Sequence, residues 1–414
     1  SSAGQMEHFG KAVAIQESPS GDGDLLVVGV PLQNTNQGSG SGAAYVFARA
    51  TNNKWVKRRN LFPAPNSDYS RFGHSVAMSL DGTIVVGAES GQEAYVYERS
   101  GQYIWEEGVR LTGHNTEAGD KFGIAVDIDG NTVVVGANEE QSSASGTDAD
   151  GSNNDSDRAG AAYIFTKEGG QWGQETYLKA SNTNSGDKFG TAVAISNGAV
   201  VVGAPGEAGN GRDVGENQHD NTISYAGAAY VYTKQHGGWA QSGYLKASNT
   251  DQGDSFGESL AISGNILTVG ADSEDSAGGG DQEDNSLISA GAAYVFDLHS
   301  LPSGLPEMVV LNNEGVRLIE SHSMIQPETI LVGSSSNWIK LHIHNIGSGL
   351  LNVSGIRIED EDGMVVTSDT SYLNNSLNFG QSTEVSVKIQ PAREGPSTAR
   401  LIILSDDQSE ASFA

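Results

Sequence analysis

Cysteine is absent from this 414-residue chain, which excludes disulfides, thiolate metal sites and thiol nucleophiles. Proline is scarce, at 10 residues, and the 54 glycines follow no Gly-x-y period; collagen and Pro-rich disorder are excluded. Positive charge is also scarce: 23 Lys and Arg stand against 52 Asp and Glu, a net charge of −29. Such a field repels phosphate backbones and anionic membranes, so nucleic acid is not expected as a partner, whereas cations and basic surfaces are. No apolar run approaches the roughly 18–20 residues that a membrane-spanning helix needs. A Gly-x-Ser-x-Gly elbow, a His-Glu-x-x-His pair, a phosphate loop and a dinucleotide fingerprint are all missing, so catalysis is not expected. The chain opens on Ser1-Ser2 without Met and reads as processed or trimmed.

What is present is a repeat. A Phe-Gly pair recurs at Phe9, Phe72, Phe122, Phe189 and Phe256. Each is followed by a segment of small and large residues in alternation, such as Ala12-Val13-Ala14-Ile15 and Ala192-Val193-Ala194-Ile195. Period-2 alternation predicts a strand with large side chains on one face and small ones on the other. A second strand ends at Gly29, Gly87, Gly136, Gly203 and Gly270, and a third carries Tyr45, Tyr95, Tyr163, Tyr230 and Tyr294. A fourth carries Trp55, Trp105, Trp172 and Trp239 and ends at Leu61, Leu111, Leu178 and Leu245. The fifth repeat lacks the Trp, although Met308 to Leu311 falls near its place. Four short antiparallel strands per repeat, without helices, predict an all-β fold whose repeats are the blades of a β-propeller. Five repeats can close a five-bladed ring, with Met308–Leu311 completing the last sheet, or form part of a seven-bladed one.

The ordered motifs Gly-Asp-x-Phe-Gly, Val-Val-Gly-Ala, Gly-Ala-Ala-Tyr-Val-Phe and Leu-Lys-Ala-Ser resemble the FG-GAP repeat, best in its bacterial surface-protein variety and more distantly in the integrin α-subunit propeller. The resemblance covers residues 1–304 and implies an extracellular or cell-surface binding module. The Asp-x-Asp-x-Asp-Gly calcium loop of the integrin type is missing.

From residue 305 to 414 the repeat gives way to alternating segments at Ile339–Ile343, Ile356–Ile358, Val385–Ile389 and Leu401–Ile403, separated by turn residues. They predict an immunoglobulin-like β-sandwich, similar to modules of the HYDIN/ASPM and choice-of-anchor type and cut short before its last strand.

In an up-and-down blade the loops between strands 2 and 3 share one propeller face. Here those loops, 138–158, 205–226 and 272–290, hold 16 acidic residues against Arg158 and Arg212. They predict an acidic ligand face made of Glu139, Glu140, Asp148, Asp150, Asp155, Asp157, Asp213, Glu216, Asp220, Asp272, Glu274, Asp275, Asp281, Glu283 and Asp284. Ca²⁺ takes six to eight oxygens, and Asp148, Asp150, Asp155 and Asp157 are the candidate metal ligands; no cofactor is otherwise required. The competing reading is a set of solvated turns rich in Asx and Ser.

Other candidates read as structural. Asp120, Asp187 and Asp254, before Phe-Gly, are expected to accept backbone N–H bonds. Asp127 and Asp129 align with Ala194 and Ser196 and are not expected to bind metal. His342 and His344 are expected on a plain strand face, Lys54, Lys57, Arg58 and Arg59 on a solvated edge, and the Trp and Tyr sets in the core. The expected function is a non-catalytic adhesion or assembly module, binding a protein or glycan at the cell surface or copies of itself. A lectin is the alternative, with a hydrolase on a propeller scaffold a more distant third.

Overall fold

The computed structural model describes residues 7–298, apart from 18–22, 213, 216, 217, 219, 236, 237 and 277–284, and beyond 298 only strands lying between 308 and 405. The chain divides into two compact units, one made of Ser1–Trp239 and Tyr244–Leu298 and the other of the remaining residues.

The first unit is five successive antiparallel sheets. Blade 1 runs through Val13–Gln16, Leu25–Val30, Ala43–Arg49 and Trp55–Leu61. Blade 2 uses Phe72–Met78, Ile84–Ala88, Glu93–Tyr97 and Val109–Leu111, with a small hairpin, Arg99–Gly101 on Ile104–Trp105, before its last strand. Blade 3 uses Val126–Asp129, Thr132–Ala137, Ala161–Glu168 and Gln171–Leu178. Blade 4 uses Ala192–Ser196, Ala199–Ala204, Ala228–Gln235 and Gly238–Leu245. Blade 5 has three strands among the described residues, Ser259–Ser263, Ile266–Ala271 and Ala292–Asp297. The first strands of consecutive blades pack directly on one another, so they lie nearest the common axis.

Register explains how the blades stack. In blade 1, Val13 pairs with Val28 and Val28 with Tyr45, while Ala14 pairs with Val27 and Val27 with Val46. One face therefore carries bulky and aromatic side chains, the other small and β-branched ones. The small face of blade 1 (Val27, Ala44, Val46, Ala48) forms one buried cluster with the aromatic face of blade 2 (Phe72, Ile84, Val86, Tyr95, Tyr97). The small face of blade 2 (Ala77, Val85, Ala94, Val96) meets the aromatic face of blade 3 (Phe122, Val126, Val133, Tyr163, Phe165) in the same way. Each Phe buried in such a seam contributes about 1.5–3 kcal/mol by the transfer of its ring from water. Each ring also makes an edge contact with its blade's Tyr, at centroid separations of 5.2 Å for Phe122–Tyr163 and 5.3 Å for Phe189–Tyr230.

The Phe-Gly motif is the seam itself. A Cβ added to Gly29, Gly87, Gly136 or Gly203 would lie 2.0–2.1 Å from the carbonyl oxygen of Gly73, Gly123, Gly190 or Gly257 on the next blade. No side chain fits at either position, and the two backbones close directly. The residue before each Phe (His8, Arg71, Lys121, Lys188 and Ser255) turns through the left-handed region, with φ of 55–59°. Nearer the axis, Asp127 and Asp129 of blade 3 accept the backbone N–H groups of Ile195 and Asn197 on blade 4, both at 2.8 Å. They are seam residues, a role that their alignment with Ala194 and Ser196 did not indicate.

Among the described residues, the first and fifth blades share no packing comparable to that of consecutive blades. Phe9 is 59% exposed, whereas Phe72, Phe122, Phe189 and Phe256 are all at 0%. Nothing lies within 4 Å of a Cβ built on Gly10, and Gly270 meets only its own blade's Ser259. The expected completion of blade 5 by Met308–Leu311 also needs correction. The strand Met308–Asn312 pairs instead with Arg317–Ile319 and Trp338–Asn345, because its register with Trp338–Asn345 is continuous over five residues.

The second unit contains two sheets. One orders Arg317–Ile319, Met308–Asn312, Trp338–Asn345, Ser382–Gln390 and Val365–Asp369; the other orders Ser376–Leu377, Leu351–Asp360 and Ala399–Ser405. All four alternating segments of the sequence fall inside strands. The call on His342 and His344 concerns side chains outside the described ones; the backbone places both in Trp338–Asn345, opposite Leu311 and Val309.

Candidate binding face

Each loop between strands 2 and 3 leaves its blade at the same end as the connection that enters the next blade, because the meander reverses direction at every strand. Hydrogen bonds tie them together. Gly186 and Lys188 donate to the carbonyls of Asp157 and Arg158, and Gly253 and Ser255 donate to those of Ser224 and Tyr225. Ser181 Oγ reaches Gln218 Oε1 at 2.9 Å, and Asn285 Nδ2 reaches Asp251 Oδ2 at 2.8 Å. The described parts of the three long loops and the segments 180–188 and 247–255 thus form one continuous rim on one face. Two shallow clefts open between the loops of blades 3 and 4. One, of about 350 Å³, is lined by residues including Asn184, Gly206, Asn221 and Tyr225. The other, of about 290 Å³, is lined by Ser143, Ser145, Ser181, Asn182, Thr183, Asn184 and Asn221.

The predicted acidic residues divide into three groups. Asp148, Asp150, Asp155, Asp157 and Asp272 are exposed on the rim, and Glu139, Asp220 and Asp275 are half-buried there. The calls on Asp213, Glu216, Asp281, Glu283 and Asp284 lie outside the described residues. Glu140 and Glu274 need correction: both are buried, together with Glu207, and are not presented to solvent.

These three glutamates hold the rim from below. Glu140 accepts from Lys179 Nζ at 2.8 Å, Asn115 Nδ2 at 3.0 Å and Tyr177 Oη at 2.9 Å. Glu207 accepts from Lys246 Nζ at 2.9 Å and Asn182 Nδ2 at 3.0 Å, and Glu274 accepts from Asn249 Nδ2 at 2.7 Å. Each Asn in turn accepts from the blade's Tyr: Tyr163 at 2.8 Å, Tyr230 at 2.6 Å and Tyr294 at 2.6 Å. The Lys of Leu-Lys-Ala-Ser is therefore the buried counter-ion of a loop glutamate. Burial pulls Lys179 and Lys246 below the ordinary lysine value, and the facing Glu140 and Glu207 resist that shift. Either partner left alone would be a costly unpaired buried charge.

Asp120, Asp187 and Asp254 accept the backbone N–H of Glu117, Asn184 and Asp251 at 2.7, 2.7 and 2.8 Å. They cap the inter-blade turns, as expected. Burial is the main cause that pushes their carboxyls up, to about 6, 7 and 6 respectively.

The candidate calcium ligands are not gathered. No group of three or more His, Asp or Glu side chains close enough to share a metal ion occurs among the described residues. Three of the four carboxylates have local work instead. Asp148 Oδ1 accepts the N–H of Tyr177 at 2.9 Å, Asp150 Oδ1 accepts that of Ser152 at 3.0 Å, and Asp157 pairs with Arg158 at 3.1 Å. Turn chemistry scattered these side chains over separate hydrogen bonds.

The aromatic sets are largely internal. Trp105 and Trp239 are buried. The indole N–H groups of Trp105, Trp172 and Trp239 reach Gly82 O, Glu98 and Glu175 at 2.8, 2.7 and 3.1 Å. Trp55, on the first blade, is exposed. Lys57, Arg58 and Arg59 lie on an exposed strand and Lys54 is exposed just before it, with Lys57 over the Tyr45 ring at 4.8 Å and Arg58 over that of Tyr103 at 4.4 Å.

No helix among the described residues is long and apolar enough to cross a membrane. No curated protein matches the chain at a significant level. The family model for the FG-GAP repeat matches residues 1–47, 105–165, 172–232 and 239–296, each later match running from a fourth strand through the first three strands of the next blade. With more than half of its residues so covered, the chain belongs to the FG-GAP repeat family.

Proposed function

We propose that this protein is a non-catalytic binding module, acting outside the cell or on its surface, whose propeller rim engages a basic protein partner. The observation that carries this reading is the continuity of the rim: three acidic loops from consecutive blades are hydrogen-bonded into one surface. The exposed Asp148, Asp150, Asp155, Asp157 and Asp272 give it a negative field, which speeds encounter with cationic surfaces and selects against anionic ones. Residues 305–414 would serve as an immunoglobulin-like spacer or docking unit. A Ca²⁺ requirement is not part of the proposal.

A lectin-like role is the second reading, and the clefts favour it. Their Asn, Ser and Thr side chains and the exposed Tyr225 ring are groups that hydrogen-bond and stack on sugars. A glycan array run beside a panel of basic proteins separates the two. Binding to basic proteins that falls steeply between 50 and 300 mM salt (about a two-fold change in Debye length) supports the first reading. Saturable, salt-insensitive binding to one glycan class replaces it with the second.

A further inference from the structure

A chain without cysteine has no disulfide to brace it. Blade 4 nevertheless buries two other side chains that chemistry can join, the Lys246 amine and the Asn182 amide, and holds both on one carboxylate. Glu207 Oε2 accepts from Lys246 Nζ at 2.9 Å, and Glu207 Oε1 accepts from Asn182 Nδ2 at 3.0 Å. The amide is fixed in orientation, because its second N–H goes to the Gln218 carbonyl and its Oδ1 accepts the Tyr230 hydroxyl at 2.6 Å. Lys246, Glu207 and Tyr230 are at 0% exposure and Asn182 is at 7%.

Each group stands where an amide exchange needs it. The nucleophile must be an uncharged amine, and burial pulls Lys246 below the ordinary lysine value although Glu207 opposes that shift. The leaving nitrogen must receive a proton, and the carboxyl that touches the amine touches that nitrogen too. As the amide carbon turns tetrahedral its oxygen gains charge, and that oxygen already faces a hydroxyl donor. Burial holds the Tyr230 hydroxyl protonated, so the donor persists. Water, which would solvate the ammonium and keep it charged, is excluded.

We propose that Lys246 and Asn182 join in an intramolecular amide bond, with Glu207 as the proton carrier. The Lys246 ammonium first passes a proton to Glu207. Its freed lone pair then attacks Asn182 Cγ, and the carbonyl electron pair moves onto Oδ1, against the Tyr230 hydroxyl. Glu207 gives its proton to Nδ2, the Cγ–Nδ2 bond breaks with its electrons on nitrogen, and ammonia leaves. The carboxylate then takes a proton from Nζ, so a buried ion pair is exchanged for a neutral amide and a neutral acid. No oxidant or co-reactant is required. Asn182 lies in the segment entering blade 4, and Lys246 follows its last strand, Gly238–Leu245; the closed loop, 182–246, therefore contains the whole blade.

The neighbouring blades carry incomplete versions of this set. In blade 3 the Asn115 amide is only half-buried, so water competes at the reacting group. In blade 5 Glu274 Oε2 accepts Ser276 Oγ at 2.7 Å, where the other two glutamates hold lysine. The bond is independent of the rim and stands whatever the rim binds.

Electrospray mass spectrometry of the denatured full chain tests the proposal. The wild-type chain is expected to be about 17 Da lighter than its sequence, the mass of one ammonia. Tandem spectra of a tryptic digest are expected to show a branched peptide joining Asn182 to Lys246, uncut after the joined lysine. Glu207→Gln and Lys246→Met are each expected at their full calculated mass, with circular dichroism reporting whether they fold. A wild-type chain at its full calculated mass overturns the proposal whatever the variants do, so a variant that fails to fold does not shelter it. A loss of ammonia that maps to other residues instead, or that persists in Lys246→Met, overturns it as well. A branched peptide still formed in Glu207→Gln removes the carboxyl from the reaction and overturns the mechanism.

Discussion

Gly136 of blade 3 lies so close to Gly190 of blade 4 that a Cβ on the first would sit 2.0 Å from the carbonyl oxygen of the second. The backbone of the seam is thus in contact, with no compressible side chain between. Gly136→Ala must push two sheets apart and open the cluster that buries Phe189. We expect a loss of about 3 kcal/mol or more, at the upper end for overpacking. Gly173→Ala, in the fourth strand of blade 3 where nothing lies within 4 Å of the new Cβ, is expected to change stability by less than about 1 kcal/mol. Urea denaturation of both variants makes the comparison.

The Glu140–Lys179 pair provides a second test. Both side chains are essentially inaccessible to water, so removing one strands the other's charge in the interior. Glu140→Gln is expected to cost about 3–5 kcal/mol, and Lys179→Met a similar amount. The double variant should recover a good part of the loss, since no bare charge remains. A double-mutant cycle measured by chemical denaturation gives the coupling, and strictly additive losses would show that the charges act independently.

Asp187 predicts a pH dependence of a definite sign. Its carboxyl titrates near 7 in the folded protein, above the ordinary carboxylate value near 3.9, so between those values the folded state keeps a proton that the unfolded chain has released. Stability contributed by this group is therefore full at about pH 4 and lost as pH rises through 7. Asp120 and Asp254, near 6, act in the same direction. We expect the melting temperature of Asp187→Asn, relative to wild type, to rise between pH 5 and pH 8. A constant difference across that range would contradict the assignment.

The fold was legible because each of the four seams imposes the same residues, and the sequence repeats them in all five blades. Phe-Gly, the Gly closing strand 2 and the Tyr of strand 3 each answer a contact made at every seam, and repetition exposes them. Glu140, Glu207 and Glu274 were read differently, as loop charge, because a count of carboxylates carries no information on depth. A signal for their burial was present: each follows the strand-2 Gly by four residues, and Glu140 and Glu207 each share their blade with a Leu-Lys-Ala-Ser lysine. A recurrent Glu matched by a recurrent Lys marks a pair. Met308–Leu311 misled for another reason. Its spacing suits a fourth strand, but spacing cannot choose between two sheets that offer an edge, and register with Trp338–Asn345 decided it.

The rim itself yields the last prediction. Asp150, Asp155 and Asp157 are exposed, and the hydrogen bonds that Asp150 and Asp157 accept are local ones that an Asn side chain can also accept. The triple variant Asp150→Asn/Asp155→Asn/Asp157→Asn should therefore fold with a melting temperature within a few degrees of wild type, as surface changes usually do. Its net charge changes from −29 to −26, and all three units leave one loop of the rim. If the rim selects basic partners, the association rate for a basic protein at low salt should fall several-fold while the dissociation rate changes little, the pattern of a rim charge that steers rather than holds. Surface plasmon resonance at 50 and 300 mM salt reads both rates. An unchanged association rate at low salt would remove the acidic loop of blade 3 from the binding surface, and binding would then have to reside in the clefts beside Asn184 and Tyr225.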